Sequence, residues 1–441
     1  MFIDNQKIRG VAVCSGQQHK HEHKHEQILC PQCDLVVSVP QLVQGTKATC
    51  PRCHTVLIAR WRQPFRQPVA LAISALFMLL MACQFTFVSM EVAGIANNVT
   101  LLQIPRVMFS ENYVELGAFF LLFVQIVPAF CMFAIVLLCT PIKLARKLQI
   151  WLSRILFQLK SWCMAEIFLA GILVSFVKLM AYGDIGLGLS FLPYVLFCLL
   201  QIRAFQCLDR HTLWEKLEPR PTYPPIESGK SGLKQGVRLC RSCTAILPAD
   251  QYECSRCEVK GHARRPKSLQ WTVSLLITSL ILYIPANLLP IMVTESLGNN
   301  LYSTIMAGVI LLWEDGSYPV AMVIFIASIM VPSLKMIAIA WLCWDAHKTK
   351  GKRDPARMHF LYEVVEYVGR WSMIDVFVIA VLASLVRMGR LMSIYPDFGV
   401  VLFALVVVLT MFSAMMFDPR LTWDKCTAED DKPMIKEPKG D

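Results

Sequence analysis

Charged side chains are scarce in this chain: Asp, Glu, Lys and Arg make up 17% of its 441 residues, against 55% hydrophobic ones. An ordinary soluble domain carries about 25% charged residues, so this balance excludes one, and it excludes a disordered chain even more firmly. A secretory leader is also missing. The first 66 residues are polar and hold Lys, Arg, His and paired cysteines, with no short apolar core followed by small residues. The amino terminus is therefore expected to stay in the cytosol. Motifs of enzymes are absent too. Gly229-Lys230-Ser231 resembles the tail of a phosphate loop, but Pro224 stands where that loop needs glycine. No nucleophile elbow, zinc-protease helix motif or dinucleotide fingerprint is found, so no enzyme is indicated.

What the sequence has instead is long uncharged runs: Pro68 to Met90, Leu116 to Ile142, Ser268 to Thr294 and Phe398 to Phe417. Each is long enough to cross a hydrocarbon core of about 30 Å as a helix rising ~1.5 Å per residue. Allowing one or two charges per run adds Trp162 to Tyr182, Ile185 to Ile202, Tyr318 to Trp341 and Trp371 to Leu391. The fold class expected is an all-α polytopic membrane protein with eight spans. Its connections alternate in basic content. Glu91 to Glu115 holds Arg106 alone, and Glu295 to Ser317 holds no Lys or Arg. Lys143 to Lys160, Arg210 to Lys267 and Lys348 to Arg370 are rich in both. Basic connections stay inside, which places both termini in the cytoplasm and leaves small external loops. Topology thus accounts for the net charge of +11, and no nucleic-acid partner is expected.

The chain also repeats itself. Trp162-Cys-Met-Ala-Glu-Ile-Phe168 aligns with Trp371-Ser-Met-Ile-Asp-Val-Phe377 at an offset of 209, and Pro128 aligns with Pro332 at 204. Paired cysteines open both halves. Two parallel modules of four spans follow, each preceded by a small cytoplasmic cysteine unit. The expected boundaries are a His-rich tail over 1–26, a first ribbon over 27–66 and a first membrane module over 67–210. A linker over 211–237, a second ribbon over 238–266, a second module over 267–420 and a tail over 421–441 complete the chain.

Cys30 and Cys33 precede Cys50 and Cys53, and Cys240 and Cys243 precede Cys254 and Cys257. Two Cys-x-x-Cys knuckles supply four thiolates, the donor set of a closed structural zinc site, so two structural zinc ions are expected. The competing reading is a thiol oxidoreductase, which calls for one pair at a helix start rather than four pairs in two closed sets. His19, His21, His23 and His25 are read as part of a solvated tail, with metal binding left open. Cysteines inside the spans, such as Cys131 and Cys163, are read as small packing residues.

Ionisable residues within spans need a reason. Glu166 and Lys178 are read as near the ends of their span, where snorkelling competes with a functional role, and Arg387, aligned with Lys178 in the second half, is a further candidate. Lys335 and Asp375 lie at matching depth and are predicted to form a buried ion pair. The first half has Cys131 in place of Lys335, which leaves Glu166 without that partner. Pro285, Asn287 and Pro290 predict a kink or unwound turn whose freed groups the Asn amide satisfies. Tyr302 to Trp313 is apolar yet too short to span and is expected to lie at the outer interface or re-enter.

Together with the paired cysteine units, Ser190-Phe-Leu-Pro193, Arg203-Ala-Phe-Gln-Cys-Leu-Asp209, Leu311-Leu-Trp-Glu-Asp-Gly-Ser-Tyr-Pro319, Gly369-Arg-Trp-Ser-Met-Ile-Asp375 and Phe417-Asp-Pro-Arg-Leu-Thr-Trp-Asp424 resemble the paraquat-inducible protein A family over roughly residues 28–425. The resemblance implies a lipid-transport component of the Gram-negative inner membrane. It further implies a periplasmic MCE-domain partner that bridges the two membranes, an outer-membrane lipoprotein, and phospholipid as cargo. The chain departs from the family at Cys83 and Thr86, where the second half keeps Asn287 and Pro290. A secondary transporter of a small solute is the alternative, although it would place polar residues at the midplane of both halves.

Overall fold

The computed structural model describes residues 11–12, 26–92, 95–142, 144–179, 184–296, 299–314, 316, 318–347, 355–387 and 392–424. The His tract, Cys14, Cys426, Lys143 and Lys350 lie outside them. Among the described residues, seven helical segments are long and apolar enough to cross a membrane, and the pair Phe191–Cys207 and Arg210–Leu217, bent by 65°, makes an eighth if counted as one span. Their outward faces are apolar, with Ile281 63% and Phe77 55% exposed, as lipid-facing helices require.

In the first half, β1 (Val11–Ala12), β2 (Glu26–Leu29), β3 (Val36–Val39), β4 (Lys47–Thr49) and β5 (Val56–Ala59) build the first cysteine unit. Helix α1 (Arg66–Gln84) leads away from it to a sheet of β6 (Thr86–Val92), β7 (Ile95–Thr100) and β8 (Asp184–Leu187), in the order β7-β6-β8. Two short helices, α2 (Gln103–Ser110) and α3 (Val114–Phe120), start the return, which runs through a π-helical turn at Leu121–Ile126 into α4 (Val127–Cys139). Amphipathic α5 (Arg146–Leu159) lies at the cysteine-bearing end, before α6 (Ala165–Leu179), α7 (Phe191–Cys207) and α8 (Arg210–Leu217).

The second half follows the same order. After β9 (Val237–Leu239) and β10 (Ile246–Pro248) comes α9 (Ser268–Leu288). Strands β11 (Met292–Ser296), β12 (Asn299–Ser303) and β13 (Met392–Pro396) form the sheet β12-β11-β13. Helices α10 (Ile305–Glu314) and α11 (Tyr318–Phe325), a π-helical turn at Ile326–Met330 and α12 (Val331–His347) repeat the return. Then come α13 (Pro355–Trp371), α14 (Ile374–Leu385), α15 (Phe398–Met416) and α16 (Arg420–Asp424). In both halves the wide turn falls just before the paired prolines Pro128 and Pro332, whose missing N–H disturbs the i to i−4 ladder there.

Several expectations need correction. The apolar runs from Pro68 and from Ser268 do not continue as helix to Met90 and Thr294. Each helix stops at the far end and the chain turns into strand, because an apolar run alone does not separate a helix from a buried strand and Thr86-Phe-Val-Ser89 favours extension. The connections at the end away from the cysteine units, expected to be external loops, are thereby small sheets. Likewise Ile185 lies in β8, and the following helix starts at Phe191. The segment Tyr302 to Trp313, expected to be too short to span, is mostly the short helix α10, which is not of membrane length. Pro285 leaves no unwound turn: α9 runs through it to Leu288, and Asn287 Nδ2 donates to Tyr283 O at 2.8 Å. Pro290 follows the helix, and its carbonyl accepts from Gly399 N at 3.1 Å. A side chain at Gly399 would lie 2.3 Å from that oxygen, so only glycine permits the approach.

Within each half the first and last spans pack together, α1 on α7 and α9 on α15. The halves meet through α14, buried along its whole length against α6, α2 and α3. Asn97 Nδ2 donates to Leu385 O at 2.8 Å, and Arg387 pairs with Glu111 at 2.9 Å at the far end of this seam. Arg387 is thus tied across the halves.

Candidate functional site: cysteine centres and a cavity between the halves

The four Cys-x-x-Cys knuckles share one backbone conformation. In each, the first cysteine N–H donates to the carbonyl five residues on, and the residue four on returns a bond to the cysteine carbonyl: Cys30 with Leu35 and Asp34, Cys50 with Thr55 and His54, Cys240 with Ala245 and Thr244, Cys254 with Val259 and Glu258. The returning residue is left-handed every time, with φ of 61° at Asp34, 59° at His54, 56° at Thr244 and 58° at Glu258. Such a turn aims both sulfurs inward. Cys30 and Cys53 lie 3.4 Å apart, Cys33 and Cys50 3.5 Å, Cys240 and Cys257 3.5 Å, and Cys243 and Cys254 3.5 Å. These gaps are too long for disulfides and close to the ~3.8 Å edge of a zinc-thiolate tetrahedron. All eight sulfurs are buried, and the four of each set lie within 4.8 Å of one another. The donor sets therefore fit a four-coordinate metal with no open position.

Each unit is seated by a tryptophan from the end of a membrane half. Trp214 of α8 is buried in the core that holds Cys240, Cys243, Cys254 and Cys257 together with Ile150 of α5. Its counterpart Trp423 of α16, 209 residues on, is buried in the core that holds Cys30, Cys33, Cys50 and Cys53, and Arg52 stacks 4.3 Å over its ring. The last described helix thus closes onto the first cysteine unit. Buried Asp34 ties this junction: its Oδ2 accepts from Ser231 Oγ at 3.1 Å, Leu233 N at 3.0 Å and Arg264 Nη2 at 2.8 Å, and Arg264 also binds Asp424 at 2.7 and 2.6 Å. The linker is correspondingly not a free tether.

The intramembrane residues separate into two ends. Lys178 lies in α6, and its side chain is outside the described residues. Glu166, expected to lack the lysine that Cys131 replaces, faces Arg370 of the other half at 3.9 Å. Asp375 is buried in the first turn of α14. It does not pair with Lys335: that ammonium donates to Thr410 Oγ1 at 3.0 Å and approaches Gly369 O at 3.4 Å. Equal depth on adjacent spans did not bring the two side chains together, because α12 meets α13 and α15 at this point, and it is α13 and α15 that supply the partners. Cys131, which occupies the place of Lys335 in the first half, lies 3.7 Å from Cys163.

At the cysteine-bearing end a cavity of about 350 Å³ opens between the halves. Its charged lining is Lys160, Glu166, Lys335, Glu366 and Arg370, and its apolar side is Phe205, Met411, Ala414 and Met415. Sequence reading missed Lys160, Glu366, Arg370 and Gln201, since they come from three helical segments distributed over both halves. It also missed the two tryptophans, although extending the 209-residue offset through Leu213-Trp-Glu215 and Thr422-Trp-Asp424 aligns them.

Membrane-length helices in two like-ordered halves, with a cysteine unit at one end of each, describe a multi-pass membrane protein built by repetition. The profile of the family "Paraquat-inducible protein A" matches residues 65–218 and 269–427, and the chain belongs to this family. Escherichia coli K12 "Intermembrane transport protein PqiA" is 63% identical over 409 residues, covering 92% of this chain and 97% of that protein. A "Probable intermembrane transport protein" of Haemophilus influenzae is 31% identical over 89% of this chain and 95% of its own length. "Lipophilic envelope-spanning tunnel protein A" of E. coli K12 is 29% identical, covering 90% of each chain. No solved structure matches.

Proposed function

We propose that this protein is the inner-membrane subunit of an intermembrane lipid-transport pathway, passing phospholipid to or from a periplasm-spanning MCE-domain partner, with an outer-membrane lipoprotein at the other end. The observation that carries the reading is the family itself, whose relatives bear intermembrane-transport and envelope-tunnel names at full length. The outer parts support it: two three-stranded sheets and short helices are too small to cross an aqueous gap, so a second protein must do so.

In this reading the chain is two tandem parallel modules of four spans, each preceded by a zinc ribbon, with the ribbons and both termini in the cytoplasm. Lys and Arg concentrated at the cysteine-bearing end support that orientation. Zinc would be held by Cys30, Cys33, Cys50 and Cys53 in one ribbon and by Cys240, Cys243, Cys254 and Cys257 in the other. Closed thiolate sites order small folds, so the metal is structural. The protein carries out transfer between compartments rather than a chemical reaction.

The test is purification from native membranes together with its envelope partners, followed by mass spectrometry of the extracted lipid. Stoichiometric phospholipid and a co-purifying MCE-domain protein are expected. Lipid no more abundant than on an unrelated multi-span protein, and no periplasmic partner, would overturn the reading.

A further inference from the structure

The cavity between the halves has a strongly charged lining. It is lined by three cations, Lys160, Lys335 and Arg370, and two carboxylates, Glu166 and Glu366. Structural needs account for part of this set. Lys335 is held by Thr410 and the Gly369 carbonyl, Lys160 donates to Phe205 O at 3.2 Å, and Arg370 faces Glu166 at 3.9 Å. Two acceptors remain. Glu366 has no ion-pair partner within 4.0 Å among the described residues. Gln201 is 95% buried by its 5% exposure, lines the cavity, and its Oε1 has no hydrogen-bond donor. A buried amide oxygen without a donor is costly, and native proteins keep such groups for a ligand or an ordered water.

The unmet capacity is therefore of both signs. Lysine and arginine with spare N–H groups suit a phosphate, whereas the Glu366 carboxylate and the Gln201 amide oxygen, both in the lining, suit an ammonium. Cysteine-end residues of spans form the polar wall, and Phe205, Met411, Ala414 and Met415 form an apolar one, which is the profile of a bilayer's headgroup boundary. The volume is at the low end of the ~300–1,000 Å³ that compact ligands occupy, enough for a polar head and too small for two acyl chains.

We infer that this cavity binds the headgroup of a zwitterionic aminophospholipid, its phosphate diester at Lys160 and Arg370 and its ammonium at Glu366 and Gln201, with the acyl chains outside along the Met411–Met415 side. The inference rests on the lipid-transport reading and gives it a place of engagement at the cysteine-bearing end. Gly369 has a positioning part. A Cβ there would lie 3.1 Å from Lys335 Cε and Nζ, so glycine leaves room for the ammonium beside the cavity.

The test measures binding of radiolabelled phosphatidylethanolamine and phosphatidylglycerol to the purified full-length chain in mixed micelles. Variants are Glu366→Gln, Gln201→Leu and Lys160→Ala, with Lys260→Ala in the second cysteine unit as a control and melting temperature as a check on folding. Glu366→Gln and Gln201→Leu should weaken phosphatidylethanolamine about tenfold and leave phosphatidylglycerol within about twofold, whereas Lys160→Ala should weaken both. Glycerophosphoethanolamine and inorganic phosphate, the soluble sources of the same chemistry, should compete poorly. Equal loss of both lipids in Glu366→Gln, no loss in folded cavity variants, or full competition by a soluble compound would overturn the inference. If wild-type protein binds lipid that the variants retain, the headgroup site fails and transport stands. If wild-type protein binds no lipid, both fail.

Discussion

Phe168 of α6 and Phe377 of α14 hold the same place in the two halves, 209 residues apart, and their rings meet edge to face with centroids 6.0 Å apart. Equivalent residues that touch each other mark an axis of approximate twofold symmetry. Phe120 joins them, its ring T-shaped to both, at 4.9 Å from Phe168 and 6.0 Å from Phe377. Gly171 faces Phe377 across this seam, where a Cβ would sit in ordinary contact 3.4 Å from Phe377 Cβ.

Phe377→Ala should open a cavity at this seam and cost about 3–5 kcal/mol, the usual range for a fully buried phenylalanine. Thermal unfolding of the detergent-solubilised protein is expected to drop by several degrees, with Phe398→Ala, exposed at the start of α15, nearly silent.

Elemental analysis of the purified chain should return two zinc ions per molecule. Cys254→Ser is expected to halve that number and to lower protein level, because losing one thiolate undoes a folding site. Less than one zinc per wild-type chain would show that the tetrads hold another metal or none.

Trp423→Ala should loosen the first cysteine unit and spare the second. Mass spectrometry after brief alkylation is expected to show Cys30, Cys33, Cys50 and Cys53 modified faster, while Cys240 to Cys257 keep the wild-type rate. Trp214→Ala should give the reverse pattern. Equal acceleration of both sets in either variant would mean that the units do not open separately.

Thr410→Val removes the hydroxyl that accepts from Lys335 at 3.0 Å and leaves the buried ammonium only the longer contact to Gly369 O at 3.4 Å. It should destabilise the protein more than Lys335→Met does, and adding Lys335→Met should recover most of the loss. Because Lys335 and Asp375 are not paired, the double exchange Lys335→Asp with Asp375→Lys should not rescue either single change. Rescue would show that the two side chains meet in another state.

The orientation is open to a direct check. Lys230→Cys in a cysteine-depleted background should react with a membrane-impermeant maleimide only after the inner membrane is opened, whereas Asn300→Cys should react in intact spheroplasts.

Eight runs of apolar residues, an offset of 209 and four Cys-x-x-Cys pairs are local or periodic patterns, and they survive in the sequence undisturbed by the rest of the chain. The helices and the cysteine tetrads were therefore legible. Where a run ends was not: Thr86-Phe-Val-Ser89 is as apolar as the helix before it, and only pairing with β7 and β8 makes it a strand. Lys335 was recognised as needing a partner, yet its partner is Thr410, 75 residues away, and depth along a helix does not say which face a side chain takes. Gln201 gave no signal at all, because an amide in an apolar run has meaning only once the neighbours that fail to bond it are known.

The closure of Trp423 onto the first cysteine unit makes the fold a ring of two repeats, in which each half ends on the unit that begins the other. Nothing in such a ring requires the peptide bond between the halves. Two fragments divided in the exposed stretch near Pro224-Pro225, co-expressed, should reassemble into a working molecule, and a circular permutant opened there with its original ends joined should fold as well. A single half with its own ribbon could complete the same ring with a second copy of itself, which is how a chain of this kind would begin before its gene was doubled.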